Sequence, residues 1–288
     1  FATNSAILFP NATTKPYLGF RKGRTWGLTL RDVSLMSEQL PEFSVVTPVL
    51  MRWNSMAYYG DYKASCNFRG VRPDYAQVEA PELRYGRYIN NMDIAQRRKV
   101  CVIGKRIYSS LFPNGGDPTG RMIRVDSTYY RVVGLDVSAG SMSIGSNADQ
   151  LLVVPLSLMQ QTYNRGDSVT MICMVARPGI RMKTMVPRIR EIVGRTHDVA
   201  PDDEKALTIV NTEVMFSMLD SLFSGVNFLV WLVGIGTLLA GAIGVSNIMM
   251  VTVRERTVEI GIRRAIGATP RMILSQIITE SILLTLVA

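Results

Sequence analysis

Between Asp220 and Arg254 lie 33 consecutive positions without a charged residue. A bilayer's hydrocarbon core is crossed by about 20 apolar residues in a helix, so this run is long enough to span it with residues to spare. No proline interrupts Glu213–Val253. One unbroken helix from about Thr212 into the Arg254 region is therefore expected, at about 1.5 Å per residue roughly 60 Å long and twice what a hydrocarbon core needs. Its first turns then stand outside the membrane as a stalk. The 20 residues before the span (206–225) contain no Lys or Arg, whereas Arg254, Arg256, Arg263, Arg264 and Arg271 follow it closely. The positive-inside rule places the arginine-rich end in the cytoplasm and the bulk of the chain outside.

That bulk reads as α+β. Ser5–Phe9 is a short apolar run closed by Pro10, and Thr29 with Asp32 three residues on forms a capping box for a helix bearing Val33, Met36 and Leu40, stopped by Pro41. Val45–Met51 is β-branched and apolar, with Pro48 predicting an edge or a bulge. The same order returns later in the chain. Val169–Val175 predicts a strand, and Met185, Val186, Ile189, Ile192 and Val193 recur at helical spacing. Pro187 puts the start of that helix near Thr184, Gly194 is its stop signal, and Ala206–Val210 is a closing strand. Two β-α-β units flanking an insert predict a split ferredoxin-like extracytoplasmic domain. Its parts are residues 1–55 and 166–211. The insert, 56–165, is mostly β, with hairpin turns at Gly60-Asp61 and at Asp126-Ser127 and a short helix over Lys105–Leu111. Ser138–Asn147, rich in Gly and Ser, reads as a loop. The stalk and transmembrane helix follow at 212–253, a cytoplasmic segment at 254–268, and the start of a next membrane helix at 270–288, broken off in an apolar stretch.

The chain has 32 Lys and Arg against 23 Asp and Glu, a net charge of +9. These charges are dispersed, without the dense basic cluster interleaved with aromatics that marks a nucleic-acid surface. They fit a domain facing anionic membrane lipid or acidic partners. Cys66, Cys101 and Cys173 lack metal-ligand spacing, and His197 is the sole histidine. Cys101 and Cys173 sit in apolar runs and read as buried thiols, with a Cys66–Cys101 bridge as the alternative. No catalytic residue is assigned. Gly115–Arg121 lacks the Gly-Lys-Ser/Thr ending of a phosphate loop, His197 falls in a polar loop beside Asp198, and Asp202-Asp203-Glu204 reads as solvated surface.

After the span, Val258, Ile262 and Ile266 share one helical face, and Glu259 and Arg263 are spaced to pair. Gly267 supplies the stop and Thr269-Pro270 the next start. Within the span, Gly236, Ala240 and Gly244 recur every four residues beside Gly241, a stripe along which another helix packs closely, and Asn247 is an amide at membrane depth.

The stretch Val233–Leu284, with RERTVEIGIRRAIGA at its centre, resembles the MacB-like/FtsX-like ABC-transporter permeases. RGVRPDYAQVEAPELRYGRYI (Arg69–Ile89), VCVIGKRIYSSLF (Val100–Phe112) and DPTGRMIRV followed by YYRVVGL resemble the same family's periplasmic core domain. The resemblance implies an inner-membrane permease subunit that pairs as a homodimer or heterodimer. A cytoplasmic ATP-binding subunit, fused or separate, binds the ATP, so no cofactor is expected on this chain. It maps the family's coupling segment onto Glu255, Arg256, Glu259, Ile260, Arg263, Arg264, Ala265 and Gly267. It implies efflux or mechanotransmission, with activation of a cell-wall hydrolase or release of lipoproteins as alternatives, and a periplasmic adaptor as a further partner. The Ser138–Asn147 loop is the candidate adaptor contact.

Overall fold

The computed structural model describes residues 4–138 and 147–287. The chain divides into two compact units, residues 1–217 and 218–288. The first unit opens with β1 (Ser5–Pro10), a two-residue β2 (Leu28–Thr29), α1 (Leu30–Gln39) and a long β3 (Phe43–Tyr59). The middle of the chain supplies β4 (Tyr62–Val71), α2 (Ala76–Glu79), β5 (Leu83–Gly86), α3 (Asn91–Ala95), β6 (Val100–Gly104), α4 (Lys105–Leu111), β7 (Met122–Val125), β8 (Thr128–Asp136), β9 (Leu151–Pro155) and α5 (Leu156–Thr162). Then come β10 (Ser168–Val169), β11 (Met171–Ala176), α6 (Met182–His197) and β12 (Leu207–Asn211), before α7 (Thr212–Glu255), α8 (Thr257–Ala265) and α9 (Pro270–Val287).

Ten strands join in one mixed sheet, in the order β12-β1-β11-β3-β4-β9-β6-β8-β5, with β7 paired to β3 and β8. Its first four strands are mutually antiparallel and belong to the two β-α-β units, β1-α1-β3 and β11-α6-β12. Alternation along β1 divides the core. Ala6 and Leu8 pack with Met36, Ile172, Met185 and Ile189 under α1 and α6, whereas Ile7 packs on the opposite face with Val49, Cys173, Tyr75 and Val78. A third cluster, around Phe68, Ile103, Ile107, Tyr130 and Leu152, fills the middle part beneath α4 and α5.

Pro48 behaves as its missing N–H demands. The register pairs Pro48 with Ile172 of β11, while pairing with β4 begins only at Leu50, so the proline lies where β3 is paired on one side. β3 continues without a break through residue 55 and carries a register shift between Arg52 and Ser55, so one strand serves both the β-α-β part and the insert.

Three local expectations need correction. The single strand predicted over Val169–Val175 is split at Thr170, whose N–H donates to the Val49 carbonyl (2.9 Å) while its Oγ1 accepts from Met51 N–H (2.9 Å). α6 starts at Met182 rather than near Thr184, which makes Pro187 its sixth residue. Both Pro187 and Lys183, whose carbonyl loses its helical partner, are exposed, so that carbonyl is open to solvent rather than buried without a donor. Gly194 does not stop the helix, which runs on to His197 and ends at Asp198 in the left-handed region (φ +51°). The glycine is instead needed for a close approach, since a Cβ there would sit 2.8 Å from the Val199 carbonyl oxygen. All three cysteines are free and buried, as read for Cys101 and Cys173, and the alternative Cys66–Cys101 bridge is not formed.

Candidate coupling segment

α7 is a 44-residue helix, about 66 Å long at about 1.5 Å per residue. Its apolar stretch is long enough to cross a membrane. The start is fixed in the sheet. Thr212 Oγ1 accepts from the Ser5 N–H (3.1 Å) and donates to the Ser5 carbonyl (2.8 Å), both buried, and Asn211 Oδ1 accepts from the Glu213 N–H (2.9 Å). The far end is marked by Arg256 (φ −93°, ψ 15°), the one residue between α7 and α8. Beside it the Thr257 hydroxyl donates to the Val253 (3.1 Å) and Arg254 (2.7 Å) carbonyls, a back-bond of the kind that bends helices. α8 closes on Gly267 (φ +104°), with Gly267 N–H on the Arg264 carbonyl (3.1 Å) and Ala268 N–H on that of Arg263 (3.0 Å). Only glycine takes that backbone conformation cheaply.

The turn folds α9 back along α8. Arg256 Nη1 donates to both oxygens of Glu280 (3.1 and 3.0 Å), and Arg263 Nη1 donates to Gln276 Oε1 (2.6 Å). Arg263 Nη2 also donates to Glu259 Oε1 (2.6 Å), the i,i+4 pair expected from the spacing. Half-buried Ile260 faces Met249, Ile273 and Ile277 across a narrow cleft of about 150 Å³. Of the eight residues mapped onto the segment, Arg256, Glu259, Ile260 and Arg263 are thus brought together on the α9 side. Glu255, Arg264 and Ala265 are exposed, and Gly267 makes the turn. Val258, Ile262 and Ile266 are bare, at 76%, 57% and 82% exposure. Gln276 and Glu280 escaped the sequence reading. The available signal was two polar residues four apart on an otherwise apolar helix.

Gly236, Ala240, Gly241, Gly244 and Asn247 are exposed along α7. A methyl group added at Gly236, Gly241 or Gly244 would meet nothing within 4 Å, so this chain places no neighbour on that stripe among the described residues. Residues 139–146 of the loop named as adaptor contact lie outside the described residues.

Two polar clusters in the first unit differ from expectation. His197 is not in a polar loop: it ends α6, its ring lies 4.9 Å from that of Trp26, and its Nε2 is 2.8 and 2.9 Å from the oxygens of fully buried Asp32. Asp32 also accepts from Thr29 N–H (2.7 Å) and Thr29 Oγ1 (2.8 Å), so the histidine ties the end of α6 to the α1 cap. The Thr29 hydroxyl is on the carboxylate rather than on the ring, which is not the order of a nucleophilic triad. Asp203, read as solvated, is buried and accepts from Thr14 N–H (2.6 Å), Thr14 Oγ1 (2.6 Å) and Lys15 N–H (3.0 Å). Gly115–Arg121 is a turn, with Gly115, Gly116 and Gly120 at positive φ and Thr119 N–H on Asp117 Oδ1 (2.8 Å).

Comparison with known proteins fits both units. Residues 2–192 match the MacB-like periplasmic core domain, and residues 231–288 match the FtsX-like permease C-terminal region. The chain belongs to the MacB-like/FtsX-like family of ABC-transporter permeases. Among curated relatives, the macrolide export ATP-binding/permease protein MacB of Bdellovibrio bacteriovorus is 28% identical over 90% of this chain. The pyoverdine export ATP-binding/permease protein PvdT of Pseudomonas putida is 29% identical over 99%. The chain spans 39% and 42% of the length of these two permeases. The fold of the MacB-like domain is shared with the periplasmic region of MacB from Actinobacillus actinomycetemcomitans (TM-score 0.59, 19% identity, 76% of this chain and 94% of that one). It is shared too with the extracellular domain of the transporter YknZ from Gram-positive bacteria (TM-score 0.58, 14% identity, 72% of this chain and 100% of that one).

Proposed function

We propose that this chain is the force-transmitting part of an inner-membrane ABC exporter. Its β-rich lobe lies on the periplasmic side, and the α8–α9 corner meets a cytoplasmic ATPase that binds the ATP. The relatives' names join ATP-binding and permease in one protein, so the ATPase belongs either to the same polypeptide or to a partner subunit. Two permease copies pair, through the small-residue stripe of α7, and an adaptor and the exported compound meet the periplasmic lobe. In the named relatives the exported compounds are a macrolide and pyoverdine.

The observation that carries this reading is the continuity of α7, which runs 44 residues without proline from the hydroxyl lock at Ser5–Thr212 to Glu255. A helix of that length passes on a push or a tilt, where a kink would absorb it. Export, rather than ATP-driven activation of a separate enzyme, is favoured by the curated relatives, both named for export.

The test is Met218→Pro, at an exposed position before the charge-free run, in the assembled transporter reconstituted in vesicles. ATP hydrolysis continues and ATP-driven export falls at least about tenfold, the effect of a kink that costs about 3 kcal/mol to straighten. Export at the unmodified rate would refute transmission through α7.

A further inference from the structure

The segment mapped as the ATPase contact has two unlike faces. The apolar residues Val258, Ile262 and Ile266 point outward, whereas Arg256 and Arg263 reach across to α9 and Arg264 lies along a groove with Pro270, Ile273 and Leu274 of α9. We infer that Glu280 is a positioning residue: through Arg256 it clamps α9 to the α7–α8 corner, so that the corner moves as one piece when its outer face is pushed.

Three observations support the clamp. First, Glu280 is the single carboxylate of α9, a helix otherwise rich in Ile and Leu, and an ionised group on such a helix is costly unless paired. Arg256 Nη1 meets both of its oxygens. Second, there are two ties rather than one. Arg256–Glu280 closes 24 residues and Arg263–Gln276 closes 13, with the Gly267 turn beyond them. One contact permits rotation about itself; a second contact, about 10 Å further along α8, blocks it. Third, Arg256 is the one residue between α7 and α8, where the backbone (φ −93°, ψ 15°) departs from the helix while its N–H still donates to the Thr252 carbonyl (3.1 Å). A side-chain tie placed there holds the bend at a fixed angle. The simplest competing role for Arg256 is a headgroup anchor at the end of the apolar span, which would need no carboxylate.

The inference rests on the coupling role proposed above, but its test separates the two. Glu280→Gln, Arg256→Gln and the exchange Arg256→Glu/Glu280→Arg are made in the assembled transporter, with thermal melting in nanodiscs and ATP-driven export as the two readouts. Each single variant lowers the melting temperature and export, the latter at least about tenfold, while the exchange restores both, export to within about threefold of the parent. A Glu280→Gln variant like the parent in both readouts overturns the clamp. So does an exchange no better than the poorer single variant, which is the result expected of a headgroup anchor. If the exchange restores melting while export never depends on ATP, even in the parent, the clamp stands and the coupling role falls.

Discussion

Arg69 is the largest fully buried side chain among the described residues, 1% exposed on β4, and its charge is answered by Glu79 of α2, itself 16% exposed. The Tyr75 hydroxyl lies 2.9 Å from the same guanidinium nitrogen. Replacing Glu79 by Gln keeps the shape and removes the negative charge. Breaking a buried pair from one side costs about 3–5 kcal/mol, because the remaining charge is left in a low-dielectric interior. The Glu191–Arg195 pair on α6 is the internal control, with side chains 54% and 76% exposed, and exposed pairs are worth about 0–1 kcal/mol. In urea unfolding of residues 1–217, followed by circular dichroism, a slope of about 2 kcal/mol per molar makes Glu79→Gln lower the midpoint by about 1.5–2.5 M. Glu191→Gln lowers it by less than about 0.5 M. Arg69→Met combined with Glu79→Gln costs less than Glu79→Gln alone, since no buried charge is then left over. Equal shifts for the buried and exposed pairs would refute the reasoning, as would a double variant worse than the single one.

Acid sensitivity follows from three aspartates. Burial alone would raise the carboxyls of Asp32, Asp93 and Asp203, but bonds from His197 and Thr29, from Arg87 and Asn90, and from Thr14, Lys15 and Ala206 respectively hold each below 3.8. Protons therefore bind the unfolded chain first. The stability these groups give is complete above about pH 5 and erodes as pH falls through their folded values, so pH-dependent melting should show a steep acid limb that Asp203→Asn flattens. Gly194→Ala forces a methyl against the Val199 carbonyl oxygen at 2.8 Å, backbone that cannot swing aside, and should cost about 1–3 kcal/mol in the same urea assay. Burial pushes the Cys66 thiol up to about 12 and raises those of Cys101 and Cys173 as well, so a thiol reagent at pH 8 should label none of the three until the chain is denatured.

Elements with purely local causes were readable in the sequence. The capping box at Thr29–Asp32, the turn at Gly60 (φ +57°) and that at Asp126 (φ +50°), the α4 helix and the long apolar α7 each depend on residues within a few positions of one another. The misreadings share a different cause. Gly194 reads as punctuation because its reason, the Val199 carbonyl packed against it, depends on how the chain turns after the helix. Asp203 reads as solvated because its donors, Thr14 and Lys15, lie nearly 190 residues earlier in the chain. His197 reads as a loop residue because the carboxylate that holds it is 165 residues away.

The coupling segment shows the same limit where it matters for function. A pattern such as RERTVEIGIRRAIGA announces a charged helix after a span, and local spacing correctly pairs Glu259 with Arg263. It cannot say which arginines face inward, because that is decided by α9, whose own polar residues look incidental on an apolar helix. Once Gln276 and Glu280 are placed opposite Arg263 and Arg256, the arginines stop being equivalent. In the inferred clamp Arg256 and Arg263 serve the internal geometry of the hairpin, and the proposed contact with a motor is left to the outward face of Val258, Ile262 and Ile266. Two perturbations should therefore fail differently. Ile262→Asp should abolish coupling while leaving the melting temperature of the transporter within about 2 °C of the parent, since a surface change alters stability little. Glu280→Gln should lower both. If Ile262→Asp melted as early as Glu280→Gln, the exposed apolar face would be packing against the permease itself, and the division of labour between the two faces of α8 would be wrong.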